Sequence, residues 1–153
     1  MGSATFFPPV SNKDNGKPDI LLIIGDQHSG SVAGCYGDPI VKTPTLDRLA
    51  REGVLFERAY CNYPVCGPSR NSFSTGRYPY QIGCWDNSCT AASDVPTFAH
   101  ALGIAGYEVV LDGRAHWHGP DQRHGFEERL VGDVSEMYWS PGWIDRRSWV
   151  FPT

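Results

Sequence analysis

No stretch of the 153 residues approaches the roughly 20 consecutive apolar residues that a membrane-spanning helix requires, so a membrane-embedded role is not expected. Met1 to Lys17 has no apolar centre of the kind a secretory signal carries, which points to a cytoplasmic location. Basic residues do not cluster: 13 Lys and Arg stand against 17 Asp and Glu, and the formal net charge of −4 argues against nucleic acid or an anionic membrane as the main partner. Internal repeats and low-complexity tracts are absent. The five cysteines are odd in number and follow no secretory signal, so mostly reduced thiols are expected in place of a full disulfide framework. Cys61 and Cys66, with Cys84 and Cys89, leave open a four-thiolate zinc site, although structural zinc pairs usually sit closer in sequence.

What is present is a globular composition, 41% hydrophobic and 12% aromatic, in a length that suits one domain. Residues 1 to 16 mix Ser, Asn, Gly, Pro and charge, and read as a flexible leader. The unbroken run Ile20-Leu21-Leu22-Ile23-Ile24 within Asp19 to Gly25 suits a strand buried on both faces of a parallel sheet, and its end delivers Asp26. Thr43-Pro44 supplies a helix start, Leu46, Leu49 and Ala50 share one face, and Gly53 is a stop. Val54 to Tyr60 reads as a second strand. Pro96 to Ala105 reads as a helix with Phe98, Ala101, Leu102 and Ala105 on one face, ended by Gly106 before a strand over Tyr107 to Leu111. Strands and helices in this order predict an α/β layered domain, a largely parallel or mixed sheet flanked by helices, whose chemistry gathers beyond the strand C-termini. Beyond Gly113 no long periodic element is visible.

The run Pro64-Val65-Cys66-Gly67-Pro68-Ser69-Arg70, followed by Thr75-Gly76-Arg77, carries the most chemistry. Pro68 suits a first helical position and Gly76 a stop, which places Cys66 at a helix N-terminus. Free backbone N–H groups and the helix dipole favour an anion there, and Arg70, about one turn in, adds a guanidinium fork matched to oxyanions. Read from the residues alone, Cys66 is a nucleophile, an unmodified thiol activated by the helix end, or an ordinary cysteine in a Pro-rich turn. The order C-G-P-S-R then T-G-R resembles the signature of type I sulfatases, members of the alkaline phosphatase superfamily. That resemblance implies that Cys66 is oxidised to formylglycine by a maturing enzyme, and that the hydrated aldehyde attacks the sulfur of a sulfate ester. It also implies that residues 17–153 are the N-terminal portion of a longer catalytic domain.

Three further clusters fit this resemblance. Gly25-Asp26-Gln27-His28 would end the first strand. Asp26 and the Gln27 amide would start a hard-cation site, for calcium first and magnesium or manganese otherwise, with the modified Cys66 as a further ligand implied by the family; a turn role for Asp26 is the plainer alternative. The Asp-Gln pair resembles choline sulfatases and the related phosphonate monoester hydrolases. Gly113-Arg114-Ala115-His116 matches the family's Gly-Lys-x-His element with Arg in place of Lys. A cation there would bind sulfate and a histidine would hold the diol or move a proton, but Arg114 cannot act as an acid. Loop histidines paired to backbone are the alternative for His116 and His118.

Asp86-Asn87 and the block Gly119 to Arg129 resemble the choline-sulfatase branch, with Asn87 at the place of a sulfate-contacting asparagine or else in an Asx-turn. Within that block, Asp121, Glu127 and Glu128 are expected to pair with Arg123 and Arg129. Trp139-Ser140-Pro141 resembles the segment that sets a tryptophan against a quaternary ammonium; Trp139, Trp143 and Trp149 are otherwise core or surface residues. The expected activity is hydrolysis of a sulfate monoester, carried by a small molecule or a glycan. Phosphonate monoester or phosphodiester hydrolysis, and a non-catalytic or zinc-binding role, are the alternatives. Oligomeric state is left open.

Overall fold

A computed structural model describes residues 16–132. The expectations for the leader over residues 1–15, for Trp139, Trp143 and Trp149, and for the remainder of the 17–153 domain lie outside these residues. Among the described residues, no helix is long and apolar enough to cross a membrane.

Three helices form where the sequence places them, and the strand expected over Tyr107 to Leu111 forms three residues later, overlapping that range only at Val110 and Leu111. Helix α1 covers Pro44–Glu52 and ends at Gly53. Thr43 stands at its start, but the Thr43 hydroxyl accepts from the Gly34 N–H at 2.8 Å and donates to Asp47 at 2.9 Å instead of capping the helix. Helix α2 covers Cys66–Thr75, and Gly76 closes it in the left-handed region at φ 67°, where a residue without Cβ is unstrained. Helix α3 covers Phe98–Ile104, with the Thr97 hydroxyl and the His100 ring forming a capping box. Strand β1, Val110–Asp112, pairs in parallel with β2, Glu128–Val131, and the two make a two-stranded sheet. β2 lies in the stretch where no element was expected, because four residues are too few to show a period.

Two expected strands do not form among the described residues. Asp19 to Gly25 and Val54 to Tyr60 adopt no regular structure, and Leu21 is 85% and Val54 77% exposed. α1 likewise exposes Leu46 and Leu49. A strand buried on both faces needs a hydrogen-bonded neighbour on each side and a layer above and below, and no described strand pairs with these runs.

The core that does form is small and lies between α2, α3 and the β1–β2 crossover. Pro68 is the largest side chain buried completely, with Ala99, Val109, Ala115 and Trp117 around it in the buried set. Phe98 meets Phe73 of α2 edge-on at 5.6 Å and Phe126 at 5.8 Å, so one ring of α3 joins the helix pair to the crossover. Trp117 packs on His124 at 4.6 Å. Thr97 donates to the His124 carbonyl at 2.6 Å, tying the start of α3 to the same loop.

The crossover also corrects the expected ion-pair network. Asp121 accepts from the N–H groups of Arg123 at 2.9 Å and His124 at 3.0 Å, and its carboxylate lies 3.5 Å from His124 Nδ1. Arg123 donates to the Glu127 backbone carbonyl, and Arg129 to the Gln122 side chain at 2.7 Å. A carbonyl and an amide therefore take parts expected of Glu127 and Glu128.

His124 is 2% exposed, and burial holds its pKa below the ordinary 6.5 despite the Asp121 carboxylate, which pulls the other way. Above 6.5 both the folded and unfolded forms keep this histidine neutral. Below that value the unfolded chain takes up the proton first, so stability is lost as the pH falls from 6.5 toward the lowered folded value. The melting temperature is therefore expected to drop between about pH 7 and about pH 5. His124→Gln should flatten that slope, and thermal scans across the range check it.

Candidate active site

Asp26, the α2 pair Cys66 and Arg70, and Arg114 come from three separate parts of the chain and meet at one place. The Arg70 guanidinium lies 3.6 Å from one Asp26 oxygen and also donates to the Arg114 carbonyl at 2.6 Å. Arg114 donates through Nη1 to the other Asp26 oxygen, and its Nη2 lies 4.0 Å from Cys66 Sγ. Arg114 stands two residues past the end of β1, so the sheet edge presents it and α2 presents Arg70. Among the described residues, two guanidiniums stand against one carboxylate beside the Cys66 sulfur, an excess of positive charge. An anion is the ligand that such a place favours.

His116 completes this group. Its Nδ1 lies 2.8 Å from Arg114 Nη2. A guanidinium has donors only, so Nδ1 accepts and the ring proton of neutral His116 sits on Nε2. His116 is buried, at 5% exposure, with φ at 59°, a backbone region that non-glycine residues seldom occupy. Its ring meets the Arg114 guanidinium at the site.

Cys66 is the first residue of α2, with Val65 as the N-cap, and Ser69 N–H closes the first turn on the Val65 carbonyl at 2.9 Å. Pro68 is accordingly the third helical residue and not the first, still within the turn whose N–H groups have no helical acceptor. No side chain from within the helix caps it. Asn87 does so from another segment: its Oδ1 accepts from the Gly67 N–H at 2.8 Å and from the Cys66 S–H at 3.2 Å. The Asx-turn belongs to the neighbouring Asp86, whose carboxylate accepts from the Ser88 hydroxyl and the Ser88 N–H, and these bonds hold its pKa below the ordinary carboxylate value. Gly67 suits this close approach, because a Cβ there would lie 3.1 Å from Asn87 Oδ1 and 3.2 Å from Asn87 Cα, and the Asn87 loop would have to give by a few tenths of an ångström.

Sequence reasoning missed the surroundings of Asn87. Cys84 and Cys89 form a disulfide, an exception to the expected reduced thiols, while Cys35, Cys61 and Cys66 are free. The bridge takes two sulfurs out of the four-thiolate set. Buried Asn71 donates to the Gly67 carbonyl at 2.9 Å and faces Cys84 Sγ at 3.7 Å and Cys89 Sγ at 3.9 Å. Two cysteines straddling Asp86-Asn87 were the available signal, but spacing alone does not say which cysteines pair.

The metal expectation is met in part only. The Asp26 carboxylate is a suitable hard donor, and Gln27 follows it with φ at 54°. Among the described residues no group of three or more His, Cys, Asp or Glu gathers to hold an ion. Both Asp26 oxygens face guanidiniums, so a cation that takes oxygen ligands would compete with Arg70 and Arg114 for this carboxylate.

The family follows from comparison with known proteins. The Sulfatase family model matches residues 18–145, and the chain belongs to the sulfatase family. The choline-sulfatase of Rhizobium meliloti is 40% identical over 128 residues, which is 82% of this chain and 25% of that protein. A solved structure of a protein in complex with its substrate D-glucosamine-2-N,6-O-disulfate matches with a TM-score of 0.64 at 35% identity, covering 68% of this chain and 21% of that one. The phosphonate monoester hydrolase of Agrobacterium radiobacter matches with a TM-score of 0.66 at 28% identity, covering 75% of this chain and 26% of that one. The fold is thus the N-terminal part of the alkaline phosphatase-like α/β architecture. The chain spans about a quarter of the length of the choline-sulfatase it matches.

Replacing Asn87 by Ala leaves the Gly67 N–H without its acceptor and should cost about 1 kcal/mol, in line with loss of a helix N-cap. Asn87→Asp should keep most of that stability. Urea unfolding of the two variants checks this, and an Ala variant as stable as the parent would contradict the capping role.

Proposed function

We propose that this chain carries the nucleophile end of a sulfate-ester hydrolase. The carrying observation is the convergence of Asp26, Arg70, Arg114 and Asn87 on Cys66 at the N-terminus of α2. In this reading Cys66 is converted to formylglycine by a sulfatase-maturing enzyme, and formylglycine supplies a hydrated aldehyde whose one hydroxyl attacks sulfur and whose other later releases sulfate. Arg114 and Arg70 bind the anion and offset the charge that builds on its oxygens in the transition state. Because Asn87 commits its oxygen to α2, any contact with a sulfate oxygen falls to its Nδ2–H₂ end. With Nδ1 taken by Arg114, neutral His116 presents Nε2–H as a hydrogen-bond donor to an oxygen of the bound anion or of the hydrated aldehyde. Arg114 keeps the positive charge of the family lysine and supplies no acid.

Asp26 and Gln27 would provide the first oxygen ligands of a divalent metal, calcium by the preference of such donors, with magnesium or manganese as alternatives. The substrate class is a sulfated small molecule or glycan, by analogy with the choline-sulfatase and the disulfated glucosamine complex. Choline is one such alcohol, and Trp139 would be the residue to meet its ammonium group. The Cys84–Cys89 disulfide supports an oxidising compartment over the cytoplasmic location expected from residues 1–17.

A second reading, phosphonate monoester hydrolysis at the same site, is favoured by the Agrobacterium neighbour. Turnover of an aryl sulfate and an aryl phosphonate by the full-length, maturation-treated protein separates the two. The sulfatase reading expects the sulfate to be the faster substrate, with Cys66→Ala reducing its turnover by more than about a thousandfold. Faster phosphonate turnover would overturn it.

A further inference from the structure

The six-residue loop from Cys84 to Cys89 places Asn87 on α2, yet Trp85, Asp86, Asn87 and Ser88 are all exposed. Burial therefore does not hold Asn87; constraints at the ends and turn of the loop must do so. One end is anchored, since Cys84 is 2% exposed and its N–H donates to the Pro79 carbonyl at 3.0 Å. The Asp86 turn and the Tyr63 hydroxyl, which donates to the Trp85 carbonyl at 2.8 Å, brace the middle. The other end, Cys89, is half-buried; its N–H donates to the Asp86 carbonyl at 3.4 Å, and Thr90 beside it makes a single parallel bridge with His118, which fixes the chain just outside the loop. The disulfide to Cys84 ties that end to the buried core, and Asn71 touches both bridge sulfurs while bonding the Gly67 carbonyl. Bridge, Asn71 and α2 are thus one connected unit.

We propose that the Cys84–Cys89 disulfide is a positioning device for the nucleophile: it clamps the loop so that the Asn87 amide stays on Gly67 and Cys66, and a dithiol that opens it loosens the site. The catalytic consequence rests on the sulfatase reading; the clamp itself does not. Opening proceeds by thiol exchange. A dithiol thiolate attacks one bridge sulfur and the S–S bond breaks, leaving the other cysteine as thiolate. The second reagent thiol then displaces the first cysteine. The reagent ends as a cyclic disulfide, and the protein gains two electrons and two protons as two thiols.

The test combines a mutant cycle with a spectroscopic readout, both on the full-length protein. With aryl sulfate as substrate, Cys84→Ser/Cys89→Ser should lower kcat about 10- to 100-fold, the scale of a small misplacement at a reacting centre, with a lesser change in KM. In the background of Asn87→Ala, removing the bridge should cost no more than about twofold, because its partner is already gone. Full and independent losses from the two changes, or no loss from the bridge variant, would overturn the proposal. Should the unaltered protein hydrolyse no sulfate ester, the functional reading fails and the clamp is judged by NMR alone. For that arm, and in case the serine variants do not fold, the folded protein with unmodified Cys66 is treated with dithiothreitol. The Asn87 side-chain amide and Gly67 backbone amide signals should shift, and Gly67 N–H exchange should accelerate. Unchanged signals after complete reduction would overturn the proposal.

Discussion

The site depends on one carboxylate between two guanidiniums. Asp26 receives Arg70 from α2 and Arg114 from the end of β1, and without it two cations would face each other beside the Cys66 sulfur. Such proximity is unfavourable unless an opposite charge lies between them. The Asp26 side chain is about one-third exposed, so the gain from each pair is screened, and the geometry matters more than the raw attraction. Two of the three segments come from inside the packed part of the chain. The third, around Asp26, has little burial of its own and is drawn in by charge. Asp26 thereby fixes where positive charge is presented, and the residue beside that charge is the helix-start cysteine.

A second constraint acts on the helix itself. The opening N–H groups of α2 have no acceptor within the helix, and the cap position holds Val65 in place of a serine or aspartate. The missing acceptor is brought from Asn87, so the Gly67 N–H and the Cys66 thiol share one oxygen. Stability of the helix end and orientation of the nucleophile residue are therefore the same interaction. Glycine at position 67 permits the close approach, and the buried Pro68 ring anchors the turn below it.

Much of the site was legible in the sequence, because Cys66, Arg70, Asp26, Arg114 and His116 sit in short motifs whose residue types are tied to oxyanion chemistry. α1, α2 and α3 were legible for a local reason: Pro44, Gly53, Gly76 and Gly106 act through their own backbone preferences, whatever surrounds them. The strands at Asp19 to Gly25 and Val54 to Tyr60 fared otherwise, since a strand exists only through its neighbours and hydrophobic runs record the need for one without supplying it. β2 was too short to announce itself. The Asn87 cap and the Cys84–Cys89 bridge were hidden because both are pairings across the chain, which spacing does not specify. Arg123 and Arg129 turned to a carbonyl and an amide because position in the loop, more than charge, decided their nearest acceptors.

The central claim is that the α2 N-terminus presents Cys66 for conversion into the nucleophile. Peptide mass spectrometry across Cys66, after expression of the full-length protein with a sulfatase-maturing enzyme, tests it most directly. The account predicts that the thiol is replaced by an aldehyde, with loss of the sulfur from that residue and from no other cysteine. A thiol that persists at Cys66 under conditions where a control sulfatase is converted would contradict it.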